Sequence, residues 1–402
     1  MDREELFKEL SIKNENKIVL LVMDGLGDLP MYGGKTALEM ANTPNLDNLA
    51  KMSECGVADP ISPGITPGSG PAHLGIFGYD PLKYQIGRGV LEALGIGMEL
   101  GDKDLALRGN FATMDKDGVI LDRRAGRIPT EKNIELCNRL QEKIKEIDGV
   151  EVIIKPVKEH RMVAVFRGEG LEDGLTDTDP QQVGKKWIPV KATRKEAERS
   201  ANILNKFIEM VNEILKDEEK ANTILLRGIA KVPPIPKMQE LFKLNPVAIA
   251  NYPMYKGLAK LVGMEVVEVG DTIEDEFKKL EEVFDKYDFF FVHIKKTDSY
   301  GEDGAFWKKV GIIEEVDGFI PKLMSLKPDV ILVTGDHSTP ALLKSHSWHP
   351  VPVLLYSKYG RRDDVDKFTE TMCTRGVLGR IRAMDELPLM MACSLKLTKY
   401  GA

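Results

Sequence analysis

The stretch KIVLLVM, residues 17–23, forms an apolar run that ends at Asp24-Gly25. A run of this kind is typical of a parallel strand buried on both faces of a sheet. Three later runs share the pattern, at 288–294, 329–334 and 351–356. Because helical patterns lie between them, at roughly 273–287 and 304–326, the sequence predicts an α/β core with a largely parallel sheet and helices on both faces.

The middle of the chain has a different pattern. Residues 106–125 predict a hairpin that turns at Lys116-Asp117-Gly118. Two further strands are predicted at 150–154 and 161–167, and a long amphipathic helix at 195–216. The sequence therefore predicts a smaller α+β domain after the first strand of the core.

A chain of 402 residues favours two domains over one. We predict a discontinuous core domain made of residues 1–105 and 236–402, with residues 106–235 inserted as the smaller domain. The Pro-rich stretch KVPPIP, residues 231–236, is interpreted as the connector.

Composition excludes several classes of protein. The net charge of −7 argues against a nucleic-acid binder, which would be basic. No apolar run reaches the ~18 residues of a membrane span, and the acidic start MDREELFKEL is unlike a signal peptide. The four cysteines form no CxxC pair and are interpreted as reduced thiols, so we expect a cytoplasmic protein.

Acidic and imidazole groups gather at the predicted strand ends. Asp24 follows the first strand, Asp298 follows the run 288–294, and Asp336-His337 follows the run 329–334. His346 and His349 come shortly afterwards. Each Asp alone is better explained as a helix or loop cap. Together, at strand ends that meet at one edge of a sheet, they predict a site for Mn²⁺, Mg²⁺ or Zn²⁺.

A Gly-rich segment, TPGSGPAHLG at 66–75, contains Ser69 and His73. Ser69 is predicted at a helix N-terminus, where backbone amides favour an anion. It is either an N-cap or, beside a divalent cation, a nucleophile for phosphorus. His73 is either a group that supports the site or a packed histidine.

Cations are concentrated in the predicted insertion. Guanidinium groups bind phosphate and carboxylate in a bidentate manner, although any single arginine is more readily explained as part of a solvated face. The Asp-rich stretch 175–180 either positions these arginines or caps a turn. The candidate substrate-binding residues are Arg123, Arg124, Arg127, His160, Arg161 and Arg227.

Taken together, the motifs resemble those of the cofactor-independent phosphoglycerate mutases, specifically the archaeal-type branch of that family. The family belongs to the alkaline-phosphatase-like superfamily, which implies an α/β core with an inserted substrate domain. The resemblance rests on VMDGLGD (22–28), TPGSGPAHLGIFGYDP (66–81), RGNFAT (108–113), DRRAGRI (122–128), HRMVAVFRGEGL (160–171), TDTDP (176–180), TGDHSTP (334–340) and HSWHPVPVL (346–354).

The resemblance also implies roles for single residues. Ser69 matches the serine that is transiently phosphorylated beside the first metal. The ligands of that metal would be Asp24, Asp336 and His337, together with Ser69. Asp298 and His346 match ligands of a second metal. The arginines and His160 would hold the glycerate carboxylate and phosphate.

One departure from the family pattern concerns the second metal. The family usually has Asp-x-x-Gly-His after the position of Asp298, whereas Glu302 stands here at the histidine position. A glutamate ligand would favour Mn²⁺ or Mg²⁺. His349 is the alternative ligand.

The implied activity is the interconversion of 2-phosphoglycerate and 3-phosphoglycerate in glycolysis and gluconeogenesis, without a bisphosphoglycerate cofactor. We expect two divalent metal ions. Mn²⁺ is favoured, and Mg²⁺, Zn²⁺ or Co²⁺ are the alternatives. We also expect a small-molecule substrate, with neither nucleic acid nor membrane as partner. A metal-dependent phosphatase or another phosphomutase of the superfamily is the alternative. A metal-binding paralogue without catalytic activity is a further alternative to the mutase. A nucleotide-binding oxidoreductase is disfavoured, since the glycines after the first strand do not open a helix.

Overall fold

The structure is a computed structural model that describes residues 1–401. Short 3-10 helices lie at Tyr32–Gly34, Lys195–Ala197 and Ala383–Asp385. The α-helices in chain order are α1 (Arg3–Leu10), α2 (Ala37–Met40), α3 (Pro44–Ala50), α4 (Ser69–Ile76), α5 (Arg88–Gly95), α6 (Thr130–Lys143), α7 (Glu198–Leu215), α8 (Met238–Leu241), α9 (Pro253–Leu261), α10 (Ile273–Val283), α11 (Lys296–Glu302), α12 (Phe306–Ser325), α13 (Glu370–Cys373) and α14 (Glu386–Cys393).

The strands belong to two separate sheets. In chain order they are β1 (Ile18–Met23), β2 (Glu54–Asp59), β3 (Asp104–Met114), β4 (Ile120–Asp122), β5 (Glu146–Ile147), β6 (Val150–Pro156), β7 (Arg161–Arg167), β8 (Thr223–Lys231), β9 (Pro246–Ala250), β10 (Glu265–Val266), β11 (Phe289–Ile294), β12 (Val330–Thr334), β13 (Val351–Ser357) and β14 (Gly379–Arg382).

Backbone contacts divide the chain into two compact units, residues 1–85 with 235–402, and residues 86–234. The second unit contains most of the predicted insertion, 106–235, and also α5. That residues 106–235 form an inserted substrate-binding domain stays a prediction.

The first unit contains a sheet with the strand order β10-β9-β11-β1-β12-β13-β2-β14. From β10 to β12 the neighbouring strands are parallel, whereas β13 is antiparallel to both β12 and β2. The predicted α/β fold class with a largely parallel sheet is confirmed.

The register of the central strands positions the site. Val22 of β1 aligns with His293 of β11 and with Thr334 of β12. These three strands therefore end level with one another. The segments that follow them, which carry Asp24, Asp298 and Asp336-His337, begin at the same edge of the sheet.

Helices cover both faces of this sheet. Val19 and Leu21 of β1 join a core with apolar residues of α3, α10 and α12. On the opposite face, the ring of Phe77 lies edge-on to Phe291 with ring centres 4.9 Å apart, and Tyr255 of α9 packs on His293 at 3.8 Å. Burial on both faces explains why the strands are continuously apolar.

The second unit is built on an antiparallel sheet. Its strand order is β4-β3-β7-β6-β5, and a further strand outside this order, β8, also pairs with β3. The predicted hairpin appears as β3 and β4, and the predicted strands at 150–154 and 161–167 pair as β6 and β7. Helix α7 buries the predicted apolar face, Leu204, Phe207, Ile208, Val211 and Leu215.

The cysteines of the chain are free thiols. Cys55, Cys137 and Cys373 are buried free thiols, and Cys393 is a partly buried one. Among the helices of residues 1–401, none combines the length and the apolar character that crossing a bilayer requires.

Candidate active site

Ser69 is the first residue of α4. The N-cap is Gly68, so the Ser69 hydroxyl does not cap the helix. Its Oγ lies 3.4 Å from Nε2 of His337. One turn later His73 is fully buried, with Nδ1 2.9 Å from the Ser69 carbonyl oxygen and 3.1 Å from Asp336 Oδ2. His73 therefore contacts the serine backbone and lies next to Asp336 of the neighbouring loop.

A first cluster consists of Asp24, Asp336 and His337. Their ligand atoms all lie within 4.8 Å of one another, and all three side chains are buried. Nε2 of His337 is 3.3 Å from Asp24 Oδ1 and 3.2 Å from Asp336 Oδ2. Within residues 1–401, neither of these two carboxylate oxygens has a hydrogen-bond partner. Unpartnered buried carboxylate oxygens beside an imidazole fit a divalent cation.

A second cluster shares His337 with the first and adds Asp298 and His346. Asp298 Oδ1 lies 3.6 Å from His346 Nε2, and the rings of His337 and His346 stack with centres 3.7 Å apart. Oxygen and imidazole donors again fit a divalent cation.

Glu302 and His349 lie outside this second cluster. The Glu302 carboxylate oxygen Oε1 is 3.9 Å from His346 Nε2, and its side chain is 56% exposed. The His349 side chain contacts other residues: its Nδ1 is 3.0 Å from Ser347 Oγ, and its ring stacks on Trp348. Glu302 is therefore the nearer candidate for a further ligand.

Lys295 lies between the two clusters and was missed in the sequence. Its Nζ is 3.1 Å from Asp24 Oδ2 and 2.5 Å from Asp298 Oδ2. Burial disfavours the charged amine, but Asp24 and Asp298 outweigh it and hold the pKa of Lys295 above its ordinary value. The ammonium fixes both carboxylates through their Oδ2 atoms. Their Oδ1 atoms point towards the histidines.

The two acids of the first cluster have pKa values shifted in opposite directions. Burial opposes ionisation of Asp24, but Lys295, followed by His293 and His337, holds the pKa of Asp24 well below its usual value. Burial, followed by the charge of Asp24, raises the pKa of Asp336 to about 7. The side chains alone thus leave one carboxylate without enough compensating positive charge, which a divalent cation would supply.

Lys309 of α12 holds the loops that carry the first cluster. It is completely buried, and its Nζ donates to the carbonyl oxygens of Gly25 at 2.9 Å, Gly27 at 3.1 Å and Thr339 at 3.0 Å. Asp28 Oδ2 lies 3.6 Å away and balances the charge. One ammonium therefore joins the segment after β1 to the segment after β12.

We expect Lys309→Met to destabilise the protein strongly. The substitution keeps the length of the side chain but leaves three carbonyl groups and Asp28 without their buried cation, which costs about 3–5 kcal/mol. Urea denaturation measures the loss in the free energy of unfolding. The exposed Lys308 next to it provides the control, because Lys308→Met should change stability by less than about 0.5 kcal/mol. Equal stability of both variants would contradict the role given to Lys309.

The second unit carries a separate group of cations. Arg108 of β3 stands directly opposite Arg227 of β8, and Asn110 of β3 stands opposite Arg161 of β7. Arginines directly opposite one another repel, and carboxylates of this unit offset part of that charge: Arg108 lies 3.8 Å from Glu92 Oε2, and Arg227 lies 3.6 Å from Asp179 Oδ2. The Nε atoms of Arg108 and Arg227 have no hydrogen-bond partner within residues 1–401. Arg108 was missed by sequence reasoning, although it lies in the quoted RGNFAT motif.

Three other candidate substrate-binding residues of this unit, His160, Arg123 and Arg127, have different surroundings. Burial, followed by Arg161 and Arg124, lowers the pKa of His160 to about 4, which puts a neutral imidazole beside these arginines. Arg123 instead makes a bidentate ion pair with Asp179, with both N···O distances at 2.8 Å. The TDTDP stretch thus holds this arginine. Arg127 is exposed and adopts a positive φ of 52°.

The chain is similar to known proteins of one family. A family model described as 2,3-bisphosphoglycerate-independent phosphoglycerate mutase matches residues 50–221. Relatives named probable 2,3-bisphosphoglycerate-independent phosphoglycerate mutase are 57% identical in Thermosipho africanus and 55% identical in Thermotoga maritima. Each alignment covers 100% of both chains. The chain belongs to this family. It is therefore an isomerase of the phosphoglycerate mutase class that works independently of bisphosphoglycerate.

Solved structures agree with this family membership. A protein from Pyrococcus horikoshii is 32% identical, with a TM-score of 0.81 over 97% of this chain and 100% of that one. A cofactor-independent phosphoglycerate mutase from Thermoplasma acidophilum is also 32% identical, with a TM-score of 0.77 over 94% of this chain and 100% of that one. The predicted resemblance is thus confirmed.

Sequence reasoning missed several further residues of this mutase's candidate site. His293 and Tyr255 pack beside Asp24, and Thr339 lies between Asp298 and His337. An imidazole within the apolar run 288–294, followed at once by Lys295, was a signal available in the sequence. Tyr255, on α9, offered no comparable signal.

Proposed function

We propose that this mutase interconverts 2-phosphoglycerate and 3-phosphoglycerate through a phosphoserine at Ser69. The observation that carries the proposal is the position of the Ser69 hydroxyl, 3.4 Å from the histidine that both acidic clusters share. A hydroxyl at the start of a helix, beside buried carboxylates that need a cation, is suited to attack phosphorus.

The reaction takes place in two transfers. In the first, Ser69 Oγ gives up its proton and forms a bond to phosphorus, the bond from phosphorus to the substrate oxygen breaks, and that oxygen takes up a proton. In the second, the other glycerate hydroxyl gives up its proton and forms a bond to phosphorus, the bond from phosphorus to Ser69 Oγ breaks, and Ser69 Oγ takes up a proton. The phosphoryl group ends on the neighbouring carbon, with no net change in atoms or electrons.

We propose that two divalent cations bind at the centre. Asp24, Asp336, His337 and Ser69 would hold one of them, and Asp298 and His346 the other, with Glu302 as a further ligand. When bound, the ions supply positive charge for the phosphoryl oxygens and the serine alkoxide. Mn²⁺ is the preferred ion because Glu302 would add a carboxylate oxygen, a donor that favours Mn²⁺ or Mg²⁺.

Arginines of the second unit are proposed to hold the substrate. Arg108, Arg161 and Arg227 present guanidinium groups from neighbouring strands, and these bind carboxylate or phosphate in a bidentate manner. Arg124 and the neutral His160 lie beside them. Holding the glycerate between the two transfers keeps water from taking the phosphoryl group, which would turn the mutase into a phosphatase.

An assay coupled to enolase tests the proposed activity against the alternative. With 3-phosphoglycerate as substrate we expect phosphoenolpyruvate to form and little inorganic phosphate to be released. Phosphate release without phosphoenolpyruvate would show a phosphatase instead. The place of the reaction in glycolysis and gluconeogenesis and the cytoplasmic location stay predictions.

We expect Glu302→Ala to weaken binding of the second Mn²⁺ ion by about tenfold, since one oxygen donor is lost. Glu302→His should bind that ion at least as tightly as the unchanged protein, because imidazole is also a suitable donor. Calorimetric titration of the metal-free protein measures both. Asp303→Ala, at the next exposed carboxylate, is the control. If Glu302→Ala and Asp303→Ala bind the second Mn²⁺ ion with equal affinity, Glu302 is not a ligand.

A further inference from the structure

Thr339 lies two residues after His337 and contacts both metal clusters. It is completely buried, and its hydroxyl donates a hydrogen bond to Asp298 Oδ1 at 2.6 Å. The same oxygen is 3.0 Å from Nδ1 of His337. Because the single hydroxyl proton goes to the carboxylate, the contact to His337 requires an N–H on Nδ1. His337 Nε2 then has no proton and presents its lone pair towards Asp24, Asp336 and Ser69.

We propose, on the basis of the two-cation centre above, that Thr339 is a positioning residue that couples the two metal sites. Through one oxygen it fixes the tautomer and ring orientation of His337, which belongs to both clusters. Through its proton it holds Asp298, which belongs to the second. A carboxylate or hydroxyl behind a histidine ligand commonly raises the affinity of that ligand for metal.

The packing around Thr339 makes it a rigid support. A Cβ atom added to Gly25 would lie 2.5 Å from Thr339 Oγ1, and one added to Gly301 would lie 2.3 Å from the Thr339 carbonyl oxygen. Lys309 Nζ donates to that same carbonyl at 3.0 Å. The backbone of Thr339 is thus held from independent directions, so its hydroxyl is in place before any cation binds.

The first test measures Mn²⁺ binding to the metal-free protein without substrate. Thr339→Val keeps the shape of the side chain and removes the hydroxyl, and we expect both Mn²⁺ ions to bind about 10- to 100-fold more weakly. Thr339→Ser should restore binding to within about threefold, because the hydroxyl returns. Thr334→Val is the matched control, since the buried Thr334 hydroxyl donates to the Pro352 carbonyl oxygen and not to either cluster. Its Mn²⁺ affinity should not change.

The second test reads the tautomer directly. Nitrogen NMR of the protein loaded with Mg²⁺, which is diamagnetic, should show His337 protonated at Nδ1, and Thr339→Val should shift or broaden that signal while Thr334→Val leaves it unchanged. A His337 protonated at Nε2 in the unchanged protein would overturn the proposal.

The binding result separates two kinds of failure. If the unchanged protein binds two Mn²⁺ ions and Thr339→Val binds them equally well, or loses affinity at one site alone, the coupling role is wrong and the centre stands. If the unchanged protein binds no Mn²⁺, the two-cation centre is wrong and the coupling role falls with it.

Discussion

Ser69→Ala is expected to lower the mutase turnover by at least about 10³-fold, because the oxygen that would carry the phosphoryl group is absent. The rest of the site offers no replacement with the same position, since Ser69 is the residue at the start of α4 whose oxygen lies beside His337. The coupled assay with enolase measures this loss in the direction from 3-phosphoglycerate to 2-phosphoglycerate.

The fold of the Ser69→Ala variant should be intact. Gly68 is the N-cap of α4, so removal of the Ser69 hydroxyl removes no capping bond, and alanine favours the helix. The free energy of unfolding should change by less than about 1 kcal/mol. Ser62→Ala, in the preceding loop, is the matched control and should keep full activity. Turnover that persists in Ser69→Ala with a folded protein would exclude the covalent route.

Removal of divalent ions by a chelator is expected to abolish turnover and to lower stability at the same time. The first cluster buries Asp24 and Asp336 with oxygens that lack partners within residues 1–401, and a cation that binds only the folded protein stabilises it. At a free ion concentration of 100 times the dissociation constant, the gain is about 2.7 kcal/mol. Mn²⁺ should restore activity better than Mg²⁺. Activity assays and thermal denaturation after dialysis measure the recovery of turnover and of stability.

The Ser69→Ala variant gives a control for this experiment. It should still be stabilised by Mn²⁺, because most of the proposed ligands remain, although it has no turnover. Full activity in excess chelator, or a melting temperature that does not depend on Mn²⁺, would contradict the metal centre.

Much of the core could be predicted because burial leaves a clear sequence pattern. The runs at 17–23, 288–294 and 329–334 are apolar throughout since helices cover both faces of the sheet, and they appear as β1, β11 and β12. Parallel strands that end level then bring Asp24, Asp298 and Asp336 to one edge. The orientation of β13 was not predictable from its own residues, because an apolar run does not encode direction.

The residues missed in the site depend on contacts distant in the sequence. Lys309 lies on α12 with helical apolar neighbours, and only the fold shows that its amine meets the carbonyl groups of Gly25 and Thr339. Arg108 becomes notable only when Arg227 stands opposite it in the sheet. The reverse holds for His349, which looks like a ligand by spacing but turns towards Ser347. Its proposed role as a ligand is therefore poorly supported by the geometry.

The most direct test of the account is to trap the phosphorylated enzyme. The protein, loaded with Mn²⁺, is mixed with 3-phosphoglycerate, quenched in acid within milliseconds and digested for mass spectrometry. We expect a phosphate on the peptide that contains Ser69, and none on that peptide from the Ser69→Ala variant. Turnover without a phosphorylated Ser69 peptide, or with the phosphate on another residue, would contradict the phosphoserine route.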